Sequence, residues 1–143
     1  MSTDLHGHPP TTTILIVDDQ KDNRDMLAAM LEQEGYRSLQ AAGGMEAMDL
    51  IANDAPQLIL FDVSMPDMDG YAVASLLKAD PKTAGIPIIM VTAHTGRGAR
   101  VVGLNTGVEA YLTKPVDATE LLLKVRNLLR LRQNVEIAVA REA

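Results

Sequence analysis

The stretch LILFDVSMPDMDG, residues 58–70, decides how the rest of this sequence is interpreted. Its leading apolar run ends on Asp62, and a loop that contains Pro66 and Gly70 follows at once. A short apolar run bounded by turn residues is typical of a buried strand in a parallel sheet. Ligands of open α/β sheets bind beyond the carboxyl ends of such strands, so the Asp62 carboxylate is placed to reach one. The same residue could simply cap the turn, and this stretch alone does not decide between the two roles.

The composition excludes several classes of protein. A chain of 143 residues with 47% hydrophobic content suits one domain with a real core. It contains no cysteine, which rules out disulfides, thiolate metal sites and a cysteine nucleophile. We find no apolar run of membrane-spanning length and no signal peptide, so we expect a cytoplasmic protein without membrane contact.

The charge of the chain is negative but unevenly distributed. The net charge is −6, so we expect no direct binding of nucleic acid by this segment. Residues 1–120 carry 8 Lys and Arg against 17 Asp and Glu, whereas residues 121–143 carry 5 against 2. The acidity therefore belongs to the body of the chain and the basicity to its C-terminal part.

Five apolar runs that predict strands alternate with five helical patterns. The predicted strands cover residues 13–17, 36–41, 58–61, 86–91 and 109–113. This alternation predicts an α/β fold with a parallel sheet and helices on both faces, similar to the flavodoxin-like doubly wound order 2-1-3-4-5. Helical periodicity places Met26, Met48 and Leu76 toward the core.

Two of the predicted helices have unusual features. The fourth, over residues 97–106, contains Gly98 and Gly103, each of which disfavours a helix by about 1 kcal/mol relative to Ala, so we expect it to be short. The fifth has Asp117 as its predicted N-cap, with Glu120 at the capping-box position.

Polar residues follow four of the predicted strands: Asp18 and Asp19, Asp62, Thr92, and Lys114. Because the carboxyl ends of parallel strands share one edge of the sheet, these side chains should converge. Unless a cation lies among the carboxylates, at least one carboxyl pKa should then rise. Oxygen ligands favour Mg²⁺, with Mn²⁺ as a second option. Lys114 and Thr92 could contact a phosphoryl group, and Asp62 could be a nucleophile that forms an aspartyl phosphate. Each residue alone could be a cap or a solvated charge, but their joint placement favours chemistry.

These residues resemble the receiver domain of two-component response regulators. The resemblance rests on the Asp18-Asp19 pair, on Asp62 with the nearby MPDMDG, on Thr92-Ala93, and on Tyr111-Leu-Thr-Lys114-Pro115. It covers residues 13–129 approximately. It implies that Asp62 accepts a phosphoryl group from the phosphohistidine of a histidine kinase or phosphotransfer protein.

The resemblance also implies roles for the other residues of the site. Asp18, Asp19 and Asp62 would hold Mg²⁺ together with the backbone carbonyl of Ser64, while Thr92 and Lys114 would contact the phosphoryl group. Thr92 and Tyr111 would then switch position and alter a surface made of helix 4, strand 5 and helix 5. Lys114 would precede Pro115 through a cis peptide bond. Such a protein is a regulatory phosphoacceptor and turns over no separate metabolite.

The domain organisation follows from the resemblance and the tail. We expect a disordered leader over residues 1–12, a receiver domain over 13–130, and a helical extension of helix 5 over 131–143. The extension could be the linker to an output domain, or the receiver could act alone. Four apolar residues of the tail have the 3-4-3 spacing of a coiled-coil seam, which would allow a homodimer: Leu128, Leu131, Val135 and Ala138. The alternative is a helix 5 that extends past the core and frays.

Three rival functions remain in view. A haloacid-dehalogenase-type phosphatase also uses a strand-end Asp and Mg²⁺, but it needs a second Asp where this chain has Ser64. A docking receiver that is never phosphorylated would not need the complete set of polar residues. A flavin or nucleotide site would need a glycine-rich loop after the first strand, which is absent from the sequence.

Overall fold

The structure is a computed structural model that describes residues 12–62, 70–93 and 107–142, with side chains described up to residue 132. Ser64 and the predicted fourth helix over residues 97–106 lie outside the described residues. The predicted leader includes Thr12, yet this residue is buried, and its carbonyl accepts a hydrogen bond of 2.8 Å from the Arg37 N–H. Thr12 therefore packs with the sheet.

Five parallel strands form one sheet in the order β2-β1-β3-β4-β5. They are β1 Thr13–Val17, β2 Arg37–Ala41, β3 Leu58–Asp62, β4 Ile88–Thr92 and β5 Ala110–Thr113. The predicted flavodoxin-like order is confirmed. The fourth strand begins later than predicted because Pro87 has no N–H to donate to the sheet.

Four helices lie within the described residues, and they pack on both faces of the sheet. They are α1 Lys21–Glu32, α2 Gly44–Asn53, α3 Gly70–Ala79 and the C-terminal helix Ala118–Glu142. Asp117 caps the C-terminal helix, since its Oδ2 accepts a hydrogen bond of 2.9 Å from the Glu120 N–H, as predicted. Among the described helices, none has both the length and the apolarity that a membrane span requires.

The sheet separates two hydrophobic cores, because successive side chains of a strand point to opposite faces. Leu15, Ile59 and Phe61 face α2 and α3, whereas Ile14, Leu58 and Leu60 belong to the core that α1 and the C-terminal helix cover. Every residue of β1, β3 and β4 is buried. These three strands thus form a rigid interior from which the site residues project.

The prediction that three helical residues face the core was wrong. Met26 is 44% exposed, Met48 39% and Leu76 63%. The inward positions of the same helices are occupied by five larger apolar residues and three alanines: Leu27, Leu31, Ile51, Val73 and Leu77, with Ala28, Ala47 and Ala74. Periodicity predicted an apolar stripe that was too wide, because residues at the edge of the stripe lie at the border of the buried face.

The C-terminal helix continues through most of the predicted extension. It is helical to Glu142, and Arg132 Nη1 donates a hydrogen bond of 2.9 Å to the carbonyl of Gln57, just before β3. The helix is thereby attached to the body of the domain at least as far as Arg132.

Lys78 connects three segments at the amino end of the sheet. Its Nζ donates to the Ala84 and Ile86 carbonyls at 3.1 and 2.7 Å, and it pairs with the Glu109 carboxylate at 2.7 Å. The Lys78 side chain is only 11% exposed, so this pair is shielded from water. Glu109 in turn accepts a hydrogen bond from the Ile88 N–H at 2.8 Å.

We predict that Lys78→Met lowers the free energy of unfolding by about 2 kcal/mol, because two carbonyls and a carboxylate lose their donor. Urea unfolding followed by circular dichroism measures this. The control is Lys21→Met. The Lys21 side chain is 75% exposed and its salt bridge to Asp25 lies at the surface, so this substitution should leave the unfolding midpoint nearly unchanged. Equal effects of the two substitutions would contradict the prediction.

Candidate functional site

The carboxyl ends of the strands bring the predicted site residues to one edge of the sheet. Asp18 directly follows β1, Asp62 ends β3, Thr92 ends β4, and Lys114 directly follows β5. Register fixes their relative height, since Asp62 lies beside Val91 and Thr92 beside Thr113. The backbone N–H of Lys114 donates to the Thr92 carbonyl at 2.9 Å and extends this pairing beyond the strand.

Three carboxylates form a cluster at this edge. One oxygen from each of Asp18, Asp19 and Asp62 lies within 4.8 Å of the other two. Asp18 and Asp62 are buried, whereas Asp19 is exposed. The donor set consists of carboxylate oxygens alone among the described residues, which suits a hard divalent cation.

Lys114 is the cation nearest to the predicted phosphoacceptor. Its Nζ lies 2.9 Å from Asp62 Oδ2, and its side chain remains partly exposed. The peptide bond between Lys114 and Pro115 is cis, as the family resemblance implied. The ion pair thus joins a partly exposed ammonium to a buried carboxylate.

The electrostatics of the cluster raise the pKa of the Asp18 carboxyl. Burial is the largest cause, and the nearby charge of Asp62 adds to it. A hydrogen bond from the Gln20 N–H to Asp18 Oδ1, at 2.8 Å, and the charge of Lys114 act in the opposite direction. The prediction of a raised carboxyl pKa is confirmed, with desolvation rather than repulsion as the main reason.

Thr92 and Tyr111, the two predicted switch residues, lie on neighbouring strands. Thr92 is buried at the end of β4, and Tyr111 is paired in register with Met90. The Tyr111 ring packs against the core on the α2 and α3 side, and its hydroxyl is buried without a hydrogen-bond partner among the described residues. Burial, with a smaller contribution from Tyr71, raises the pKa of the Tyr111 hydroxyl.

The sequence analysis missed one part of the site, which involves Arg24 and Gln40. Arg24 Nη1 donates to the carbonyl of Asp18 at 2.8 Å, and its Nε donates to Gln40 Oε1 at 3.0 Å. The sequence offered only a weak signal, namely a polar residue within the strand β2 and an Arg in the first turns of α1. Every residue has a backbone carbonyl, so a sequence motif does not indicate which carbonyl accepts a hydrogen bond from Arg24.

Residues 14–126 match the family model of the response regulator receiver domain. The response regulator PleD of Caulobacter vibrioides is 43% identical over 130 residues, which are 91% of this chain and 29% of PleD. The DNA-binding dual master transcriptional regulator RpaA of Synechocystis sp. is 39% identical over 117 residues, which are 82% of this chain and 48% of RpaA.

Solved structures give the same result for the fold. The response regulator receiver domain protein (CheY-like) from Methanospirillum hungatei has a TM-score of 0.79 and 36% identity, and the match covers 87% of this chain and 98% of that one.

RpaA is named as a DNA-binding regulator, so our expectation of no nucleic-acid binding does not extend to whole regulators of this kind. This chain spans less than half the length of PleD or of RpaA. The expectation of no nucleic-acid binding therefore applies only to this chain, whose net charge is −6.

The matched residues, the strand order and the shared architecture lead to one conclusion: this chain belongs to the response regulator receiver domain family.

Proposed function

We propose that the chain is a phosphorylation-dependent signalling switch that accepts a phosphoryl group on Asp62. The observation that carries the proposal is the position of the Asp62 carboxylate. It is buried at the end of β3, belongs to the carboxylate cluster and lies 2.9 Å from Lys114 Nζ. The donor would be the phosphohistidine of a histidine kinase or of a phosphotransfer protein, as the family implies.

In the proposed step, an Asp62 oxygen attacks the phosphorus atom of phosphohistidine. An O–P bond forms and the P–N bond breaks, and its electron pair remains on the imidazole nitrogen, which can then take a proton. Lys114, now paired with Asp62, would also pair with an oxygen of the incoming phosphoryl group. Thr92 would donate its hydroxyl proton to a second phosphoryl oxygen.

We assign Asp18, Asp19 and Asp62 as the residues that would hold Mg²⁺. Their oxygens are close enough together for one ion, and the burial of Asp18 makes its ionised form unfavourable without a compensating cation. Bound Mg²⁺ would offset negative charge during phosphoryl transfer, and Mn²⁺ has the same ligand preference. The Ser64 carbonyl, outside the described residues, is retained as a further ligand on the family resemblance.

The signal would leave through the surface formed by the predicted fourth helix, β5 and the C-terminal helix. Tyr111 and the C-terminal helix are already connected, since Lys124 Nζ donates to the Tyr111 carbonyl at 2.8 Å. We propose that movement of Thr92 and Tyr111 changes this surface. The partner would be an output domain, an output protein or a second copy of the chain, and the protein would act in the cytoplasm as a regulator rather than as a metabolic enzyme.

We predict that Asp62→Asn abolishes modification by acetyl phosphate in the presence of Mg²⁺, because the amide cannot act as the nucleophile. Intact-protein mass spectrometry would show one added phosphoryl group on the wild type. The matched control is Asp49→Asn, at an exposed position of α2, which should be modified like the wild type. A modification that persists in Asp62→Asn would refute the assignment.

We predict that Lys114→Met slows phosphorylation by acetyl phosphate roughly 100-fold, because one cationic group that stabilises the transferring phosphoryl group is lost. The rate is measured by the same mass assay over time. Lys82→Met removes an equal charge from an exposed position beyond α3 and should leave the rate unchanged. A rate for Lys114→Met within twofold of the control, about 0.4 kcal/mol in barrier height, would argue against this role.

We predict that Asp18→Asn stabilises the protein at neutral pH without Mg²⁺. The folded pKa of Asp18 lies above its unfolded value, so folding is penalised above the raised pKa and the penalty disappears below the ordinary value of 3.8. Urea unfolding from neutral to acidic pH should show the advantage of the variant shrinking as the pH falls.

The control for this comparison is Asp54→Asn, because Asp54 is exposed and pairs only loosely with Arg37, at 3.4 Å. Added Mg²⁺ should stabilise the wild type more than Asp18→Asn, and less so at low pH, where protons compete for the carboxylates. A destabilised Asp18→Asn at neutral pH without Mg²⁺ would contradict the prediction.

A further inference from the structure

Arg24 contacts the backbone of the Asp18-Asp19 pair, and it has no role in the phosphoryl transfer proposed above. It lies in the first part of α1, with its N–H bonded to the Gln20 carbonyl at 3.1 Å. From there its guanidinium extends back to the end of β1, where Nη1 donates to the Asp18 carbonyl at 2.8 Å. The contact is to the backbone of a proposed metal-binding residue rather than to its carboxylate.

The second arm of the guanidinium is held on a neighbouring strand. Arg24 Nε donates to Gln40 Oε1 on β2 at 3.0 Å. The Gln40 amide is oriented in turn, since its Nε2 donates to Asp25 Oδ1 at 3.2 Å. A planar guanidinium bonded at two of its nitrogens has a defined orientation, which an ammonium group on a flexible chain would lack.

With this contact, the N–H, the carbonyl and one carboxylate oxygen of Asp18 each have a hydrogen-bond partner. The Asp18 N–H donates to the Ala41 carbonyl at 3.1 Å, and Asp18 Oδ1 accepts from the Gln20 N–H at 2.8 Å. The carbonyl is bonded by Arg24. The peptide unit between Asp18 and Asp19 is therefore fixed by the guanidinium, and this unit determines where both carboxylates lie relative to Asp62.

We infer that Arg24 is a positioning residue that holds the Asp18-Asp19 peptide in the geometry needed to bind Mg²⁺. The inference rests on the proposed function, because it concerns the same carboxylates. Arg24 acts through two effects of opposite sign. Its positive charge weakens the attraction of the site for a cation, whereas its hydrogen bonds preserve the arrangement of the ligands.

Positioning outweighs repulsion at this site. Arg24 is partly exposed, so water and salt would screen the repulsion between its charge and a bound cation. Its hydrogen bond to the Asp18 carbonyl is direct, charge-assisted and partly buried. Groups that orient metal-binding residues typically contribute about tenfold or more to metal affinity.

The test compares Arg24→Met with Arg24→Lys in the full chain. Mg²⁺ is titrated into each unphosphorylated protein, and its dissociation constant is obtained from NMR chemical-shift changes. We expect both variants to bind Mg²⁺ about tenfold more weakly than the wild type, since neither has the two-armed guanidinium. If Arg24 acted by charge alone, Arg24→Met would bind more tightly and Arg24→Lys would be unchanged, and this result would overturn the inference.

The matched control is Arg37→Met, which makes the same chemical change on β2. Arg37 contacts Asp54 in an exposed pair and lies at the opposite end of β2 from the site. Its Mg²⁺ affinity should match that of the wild type. Melting temperatures are recorded for all variants, because a merely structural role of Arg24 would lower the melting temperature and leave the dissociation constant unchanged, and that outcome too would overturn the inference.

Two further variants keep the result interpretable. Gln40→Leu removes the acceptor of Arg24 Nε, together with the exposed hydrogen bond to Asp25, but keeps the bond from Arg24 to the Asp18 carbonyl. It should therefore weaken Mg²⁺ binding less than Arg24→Met does. If Arg24→Met does not fold, Gln40→Leu and Arg24→Lys carry the test. Asp19→Asn should lose Mg²⁺ binding. If Asp19→Asn still binds Mg²⁺, the proposed metal site is wrong and the inference about Arg24 is wrong with it. If Asp19→Asn loses Mg²⁺ binding but the Arg24 variants bind Mg²⁺ like the wild type, only the inference about Arg24 is contradicted.

Discussion

The confinement of three carboxylates to one edge of a parallel sheet is the constraint on which the site depends. Burial makes the ionised form of Asp18 unfavourable, and the nearby Asp62 adds to this. The fold can hold this arrangement because β1 and β3 are buried along their whole length and lie side by side in the sheet. Packing of the two cores thus provides the free energy that keeps like charges together, and Lys114 offsets part of the repulsion. The same excess of negative charge suits a divalent cation, the ligand proposed for this site.

Several cationic side chains of this acidic protein bind backbone carbonyls near the ends of strands. Four of them donate in this way: Arg24 to Asp18, Lys78 to Ile86, Lys124 to Tyr111 and Arg132 to Gln57. Each bond satisfies an acceptor that lies close to where a strand begins or ends, and each joins a helix to the sheet. The protein therefore depends on particular Lys and Arg residues for its connections between layers, beyond any effect of its net charge.

Much of the fold and the site could be predicted from the sequence, for physical reasons. Apolar runs identified the strands because a parallel sheet covered on both faces is apolar throughout, and the strand-end rule then brought Asp62 and Lys114 together. It was harder to predict which apolar residues of a helix face the core, since periodicity does not distinguish the buried Ala47 from the exposed Met48 beside it. The role of Arg24 could not be predicted, because it depends on a backbone carbonyl whose position only the folded chain defines. The identification of the phosphodonor, the ion and the output remains a proposal.

The strands that supply the site differ in how deeply they are buried. Asp18 and Asp62 are attached to strands that are buried at every position, whereas β5, which carries Tyr111 and precedes Lys114, is an edge strand that is only partly buried. Segments of this kind open locally at lower free energy than central strands, which open only when the whole domain unfolds. Asp62 is consequently held in place for as long as the domain stays folded, whereas Tyr111 lies on an element that can open locally, and Lys114 directly follows that element. The site thus combines a static half with a half that can adjust to an arriving group.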